Sequence, residues 1–309
     1  MIETKNLTKY YGSLAALQNL DLHIGAGEIF GFIGPNGAGK TTSMRILATL
    51  LDQTSGTAFI DGMNVNKNGK KIRKLVGYMP DFMGVYDDLK VFEYLEFFAA
   101  AFSIERKQRK SIVQGVLELT DLQGKSHAAV DSLSRGMQQR LGLARVLIHD
   151  PKVLILDEPA SGLDPRARIE IRGLLRELKN MGKTIMISSH ILSELEEICD
   201  QVGIIECGQL VFNGSMEDIR QKMGVNRKVR VQVADGQKDI AVKLLNNIED
   251  IENINTENSH IAITLRETKK NEGIIAKTLV NGDINIISIE PEQLNLDDAF
   301  LHLTKGLVN

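Results

Sequence analysis

Long apolar runs are the first thing this 309-residue chain lacks. No stretch approaches the roughly 18–20 continuous apolar residues that a membrane-spanning helix needs. Runs such as VLILD have only the length of a strand. The opening MIETKNLTKYYG is polar and without the apolar segment of a signal peptide. The chain is therefore not expected to cross a membrane by itself. Cysteine is nearly absent as well. Cys199 and Cys207 are too few and too oddly placed for a disulfide framework or a zinc site, and reduced thiols are expected. Neither sign of charge dominates: a net charge of −3 gives no electrostatic footprint for nucleic acid, which is not expected as a partner. There is no low-complexity tract and no tandem repeat. What remains is an ordinary globular composition, long enough for one large domain and a small one.

Over the first 215 residues or so, short β-branched runs alternate with helical patterns. EIFGFIG (28–34), VLILD (153–157) and TIMISS (184–189) read as buried parallel strands, apolar on both faces. Helical patterns follow the first two, KTTSMRILATLL and PRARIEIRGLLRELKNM. This alternation predicts an α/β core around a parallel sheet. Between about 82 and 148 the pattern turns mostly helical, which predicts a helical subdomain inserted into that core. Beyond about 225 the element order becomes β-α-β-β-α-β, the ferredoxin-like plan. The expected domains are 1–222 and 226–309, divided in the polar stretch RQKMGVNRK.

GPNGAGKTT, from Gly34 to Thr42, matches the phosphate-loop pattern G-x-x-x-x-G-K-[ST] between a strand and a helix. Gly34, Pro35, Asn36, Gly37, Ala38 and Gly39 would let backbone N–H groups curl round an anion at a helix N-terminus. Lys40 is expected at the β- and γ-phosphates, the Thr41 hydroxyl on Mg²⁺, and Thr42 beside it. VLILDEP then delivers two carboxylates at the end of a buried strand, where α/β sheets place their chemistry. Asp157 would hold Mg²⁺, directly or through water. Glu158 would polarise a water in line with the γ-phosphate. Acidic residues also commonly end strands and begin turns, and Pro159 suits a turn. Tyr11, or its neighbour Tyr10, is a candidate to stack on adenine, unless KYYG packs on the core. His190 ends TIMISSH, where an imidazole would reach a γ-phosphate oxygen.

The phosphate loop, the helical insertion, LSRGMQQR (133–140), VLILDEP, SGLD (Ser161 to Asp164) and SSH occur in one order over residues 1 to about 220. This set resembles the nucleotide-binding subunit of an ATP-binding cassette (ABC) transporter. The resemblance implies an ATPase with a P-loop NTPase core, ATP and Mg²⁺ as ligands, and a second copy paired head to tail. It also implies a separate integral-membrane permease as partner and a peripheral position on the cytoplasmic membrane face. LSRGMQQR then looks like the signature motif, which faces the nucleotide of the opposing subunit. Ser134 would cap its helix and offer a hydroxyl, and Gly136 would let backbone N–H groups approach the γ-phosphate. SGLD looks like the loop that touches the partner, Tyr11 like the adenine-stacking aromatic and His190 like the switch histidine.

Two motifs depart from the family pattern. Arg135 and Met137 replace a glycine and a glutamine in the signature. Arg135 points either towards the opposing phosphate or simply to solvent. Asp81 in VGYMPD stands where the family usually has a glutamine that senses Mg²⁺ and the attacking water. An aspartate there is expected to ligate the metal yet repel an unshielded γ-phosphate. The tail EPEQLNLDDAFLHLTKG (290–306) also resembles bacterial export subunits. FMGVYDDLKVFEYLEFF, at the start of the insertion, is the expected docking surface for the permease, although its aromatics are also core candidates. The competing readings are a nucleotide sensor that does not hydrolyse and a soluble cassette ATPase uncoupled from transport.

Overall fold

The computed structural model describes every residue except 83, 85–87, 223–227, 257–259, 267–271 and 292–309. Most of the RQKMGVNRK stretch, part of FMGVYDD and the tail from 292 therefore lie outside the described residues. The chain divides into two compact units between Met216 and Glu217, a few residues before the position expected from the sequence.

The first unit opens with β1 (Ile2–Tyr11), β2 (Leu14–Ile24) and β3 (Ile29–Ile33). Next come α1 (Lys40–Leu47), β4 (Ser55–Ile60), β5 (Met63–Asn64), α2 (Gly69–Leu75) and β6 (Val76–Met79). The helical insertion consists of α3 (Val91–Ala101), α4 (Arg106–Leu119) and α5 (Arg135–Leu147). The core resumes with β7 (Val153–Leu156), α6 (Pro165–Asn180), β8 (Thr184–Ser189), β9 (Gln201–Glu206) and β10 (Gln209–Gly214). A short helix, α7 (Met216–Lys222), stands at the division between the units.

Five strands form a parallel array within a six-stranded sheet of order β10-β9-β3-β8-β7-β6; β10 is the antiparallel edge. Every residue of β3, β7 and β8 is buried, as runs without a polar face require. The loops after β3, β6, β7 and β8 therefore emerge together at one C-terminal edge. A second sheet, antiparallel and of order β2-β1-β4-β5, was not expected from the sequence. It shares one core with α1 and β3, formed by side chains such as Leu17, Leu20, Phe32, Met44, Ile46 and Ile60. Its signal in the sequence is blurred by register shifts along β1, which interrupt simple alternation.

Local rules explain the helix ends. Asp164 caps α6 by accepting from Ala167 N at 2.9 Å, and Pro165 takes the first turn, where a missing N–H costs nothing. Along α6 the buried residues Ala167, Ile171, Leu174, Leu175 and Leu178 make one stripe at three- and four-residue spacing. α1 ends at Leu47, four residues before its apolar pattern does. Thr49 adopts φ 60° and Leu50 N returns to Arg45 O at 2.9 Å, a left-handed stop that turns Leu50 outward.

The second unit contains β11 (Lys228–Val233), α8 (Lys238–Leu245), β12 (Ile251–Thr256), β13 (Ile261–Leu265), α9 (Glu272–Asn281) and β14 (Ile286–Pro291). Its sheet has the order β12-β13-β11-β14 with all pairs antiparallel, which is ferredoxin-like topology. Val231, Ile263, Ala241 and Leu279 belong to its own apolar core.

Two positions on α6 test the burial pattern. Leu175→Ala empties a fully buried site and is expected to cost about 2–5 kcal/mol. Ile169→Ala, on the exposed side of the same helix, should stay within about 0.5 kcal/mol of wild type. Urea unfolding followed by a probe in the first unit checks both, and equal shifts would contradict the assigned helix face.

Candidate functional site

The loop from Gly34 to Thr42 leaves β3 and enters α1 at the C-terminal edge of the parallel sheet. Two of its glycines are dictated by space. A Cβ on Gly34 would stand 2.3 Å from Ile205 O, and one on Gly39, which has φ 108°, would stand 2.5 Å from Ala16 O. Asn36 and Gly37 are exposed at the tip, and Pro35 is half-buried beside them. Ala38 is buried and fastened on both sides: its N–H donates to Pro35 O at 3.2 Å, and its carbonyl accepts from Gly208 N at 2.9 Å. α1 begins without a side-chain cap, so its first N–H groups remain available to an anion at the loop.

Lys40 is the centre of the site. Its side chain is buried and folds back over the loop, where Nζ donates to Gly34 O at 2.5 Å and Pro35 O at 3.3 Å. The same nitrogen lies 3.4 Å from Glu158 Oε1. Burial pulls the lysine pKa down, while Glu158, Asp157 and Asp81 oppose that pull and favour the charged form. Thr41 and Thr42 follow, half-buried, and line the same cleft of about 170 Å³ with Lys40, Asp81 and Glu158.

β7 supplies the carboxylates. Asp157 is buried; its N–H donates to Met79 O at 2.8 Å, and its Oδ1 accepts from Ser188 Oγ at 2.7 Å. Oδ2 of the same carboxylate is buried with no hydrogen-bond partner among the described residues, a costly arrangement that a cation would relieve. Glu158 takes φ 50°, unusual for a residue with a Cβ, and this turns its carboxylate back towards Lys40. Its N–H donates to Ser188 Oγ at 2.8 Å, so one hydroxyl on β8 orients both acidic residues. Ser188 was not among the residues expected at the site. Its only signal was two hydroxyls at the end of an otherwise apolar buried strand.

His190 follows β8, and its Nδ1 lies 2.9 Å from Glu158 Oε2, a hydrogen bond that places the proton on Nδ1 when the carboxylate is ionised. Asp81 follows β6 and is exposed, yet its carboxyl is held above the ordinary value. Partial burial acts first, then Asp157 and Glu158, with Arg135 and His190 opposing. Three carboxylates thus face one lysine. Among the described residues no three acidic, imidazole or thiol groups converge closely enough to hold a metal alone. That suits Mg²⁺, which takes one or two carboxylates and completes its shell with phosphate and water oxygens. The residues fit a magnesium-bound triphosphate.

Other expected residues lie apart from this cleft. Tyr11 ends β1, about half exposed, with Lys9 Nζ 5.3 Å from its ring centroid; Tyr10 is equally exposed. Neither lines the cleft around Lys40, although Ala16 on the paired strand does. Ser134 caps α5, accepting from Met137 N at 3.3 Å. Gly136 sits where a Cβ would meet Ala167 Cβ at 3.0 Å. Neither of these two lines the cleft around Lys40. Arg135 lies over the SGLD loop of its own subunit. The residue is exposed, but its guanidinium covers Gly162, 2.4 Å from where a Cβ would stand. Of the aromatics expected on the insertion, Tyr94 is fully buried while Phe97 is half exposed.

Comparison with known proteins agrees with this geometry. The sequence pattern of the family described as "ABC transporter" matches residues 17–161. A bacitracin transport ATP-binding protein of Bacillus licheniformis is 38% identical over 308 residues, covering 99% of this chain and 98% of that protein. The dimeric structure of a bacterial ABC transporter cassette superposes with a TM-score of 0.64 at 26% identity, over 70% of this chain and 99% of that one. A post-hydrolysis state of the same cassette, bound to ADP and Pi, matches equally well, with a TM-score of 0.64, 26% identity and the same coverage. A strand-loop-helix that cradles phosphate, carboxylates beside its lysine, and relatives alike over nearly their full length lead to one assignment: this chain belongs to the ABC transporter family, as an ATP-hydrolysing subunit.

Proposed function

We propose that two copies of this chain pair head to tail around ATP and Mg²⁺, and that the pair drives export through a separate membrane permease. The observation that carries the reading is Lys40 Nζ, held within 3.4 Å of both a phosphate-loop carbonyl and the carboxylate of Glu158. Lys40 leaves Gly34 O for the β- and γ-phosphates, and the backbone from Gly34 to Gly39 holds the remaining oxygens. Thr41, Asp157 and Asp81 hold Mg²⁺, which when bound neutralises phosphate charge. Glu158 orients the attacking water and takes its proton, while His190 holds that carboxylate through Nδ1–H beside the γ-phosphate. Tyr11 stacks on adenine. Ser134 and Gly136 reach the γ-phosphate held by the other copy, so the pair closes on ATP and loosens after hydrolysis.

No described helix is long and apolar enough to cross a membrane, so the transport path is assigned to the permease. Between the end of α1 and the insertion lies an apolar groove of about 260 Å³, lined by Leu50, Tyr78, Phe98, Phe102, Arg145 and His149. We assign a cytoplasmic segment of the permease to it, with this chain on the cytoplasmic membrane face. Leu50 and Phe102 are both exposed there, as an unfilled docking surface would be. The likeness to a bacitracin transport protein supports bacitracin as the first cargo to test.

Glu158→Gln is expected to cut steady-state ATP turnover by about 10²–10⁴-fold, the usual worth of a general base. With Mg²⁺ and ATP it should also accumulate as a pair in size-exclusion chromatography; unchanged turnover would remove Glu158 from its role. Asp81→Gln removes a charged ligand and should need more Mg²⁺ for half-maximal turnover than wild type, and superimposable titrations would refute a metal role for Asp81. The raised pKa of Asp81 also has a consequence without nucleotide. Its ionised form costs the folded subunit stability, a cost absent below the unfolded value of about 3.9 and growing as pH rises through the folded one. Asp81→Asn should therefore raise the melting temperature at neutral pH and leave it unchanged below about pH 3.5. An equal shift at both pH values would contradict the electrostatic cause.

A further inference from the structure

The segment from Gly62 to Pro80 contains five basic residues, Lys67, Lys70, Lys71, Arg73 and Lys74, and no Asp or Glu. All five are exposed, on α2 or the loop before it, and none forms an ion pair among the described residues. On a chain whose net charge is −3, this is a local excess of positive charge. Lys67, Lys70, Lys71 and Arg73 line a cleft of about 490 Å³, in which Asp52 is the one acidic lining residue. Arg73 fixes one wall by donating to Thr49 Oγ1 at 2.8 Å.

Position gives the cluster its meaning. Arg73 also lines the apolar groove assigned to the permease, so the basic cleft and that groove are neighbours on one face of the first unit. A face that docks on a membrane protein lies near the bilayer surface, where anionic headgroups attract basic residues. The side chains suit such a surface. Four of the five are lysines, mobile point charges, rather than the planar forks that fit one fixed carboxylate. No glycine-rich backbone cradle of the Lys40 kind accompanies them, so the cleft is not built as a second nucleotide site.

We propose that the basic cleft beside α2 binds the phosphate headgroups of anionic lipids in the membrane that holds the permease. The inference rests on the permease reading for its orientation. Each positive charge contributes only within about 10 Å of the surface at ordinary salt. The contact therefore orients a subunit already held beside the bilayer.

The test uses the full chain and sedimentation with vesicles of phosphatidylcholine, with and without phosphatidylglycerol. Wild type should bind the anionic vesicles selectively and lose that binding at high salt. The triple variant Lys67→Gln, Lys70→Gln, Lys71→Gln should bind them about a hundredfold more weakly, at about fivefold per lysine. The matching Lys→Arg triple should retain binding, and ATP turnover should be unchanged in both. Equal binding to neutral vesicles, or an undiminished glutamine triple, would overturn the proposal. Full displacement by millimolar inorganic phosphate would overturn it in favour of a free anion. Loss of permease co-purification in detergent, with vesicle binding intact, would overturn it in favour of an acidic protein partner. If wild type selects anionic vesicles although no permease co-purifies, the lipid contact stands and the permease reading fails.

Discussion

Lys40 organises the first unit. A buried ammonium is expensive, and this one is tolerated because two loop carbonyls and Glu158 surround it, with Asp157 and Asp81 adding their fields. The parallel sheet exists, in functional terms, to bring those groups to one edge. β3 delivers the loop, β7 the acids, β8 the serine that orients them, and β6 the aspartate at the rim. Three carboxylates against one lysine leave the cleft short of positive charge. A cation that arrives with its own phosphate oxygens resolves that imbalance better than a bare anion would.

Much of this was legible in the sequence because each signal had a local physical cause. Space at Gly34 and Gly39 forces glycine, and a strand buried on both faces must be apolar throughout, so GPNGAGKTT and VLILDEP announce themselves. Other features depend on contacts between distant segments. The antiparallel sheet hid behind the register shifts of β1, and α1 stops early at Thr49 although its apolar pattern continues. Ser188 reads as an ordinary strand residue until Asp157 and Glu158 are seen to converge on its hydroxyl. Arg135 could not be placed, since its partner Gly162 is 27 residues away and contributes only an absence of side chain.

The first unit is electrically uneven, and the unevenness follows its surfaces. The nucleotide cleft is acid-rich, while the cleft beside α2 is basic, with Asp52 as its one acidic lining residue. Between the basic cleft and the insertion lies a groove of Leu50, Phe98 and Phe102, exposed because α1 turns outward at its end. One helix links the two surfaces: its start lines the cleft around Lys40, and the turn that ends it helps form the groove. On the proposed docking of the permease in that groove, the shared element is a short mechanical route from hydrolysis to transport.

On the proposed reading the cleft takes a metal-bound triphosphate rather than a bare one. Calorimetric titration of the Glu158→Gln chain with ATP, once with Mg²⁺ and once with a chelator, tests it most directly. Tight binding with Mg²⁺ and at least tenfold weaker binding without it is the predicted result, on the scale of about 1.4 kcal/mol or more. Equal affinity in the two titrations would contradict the account.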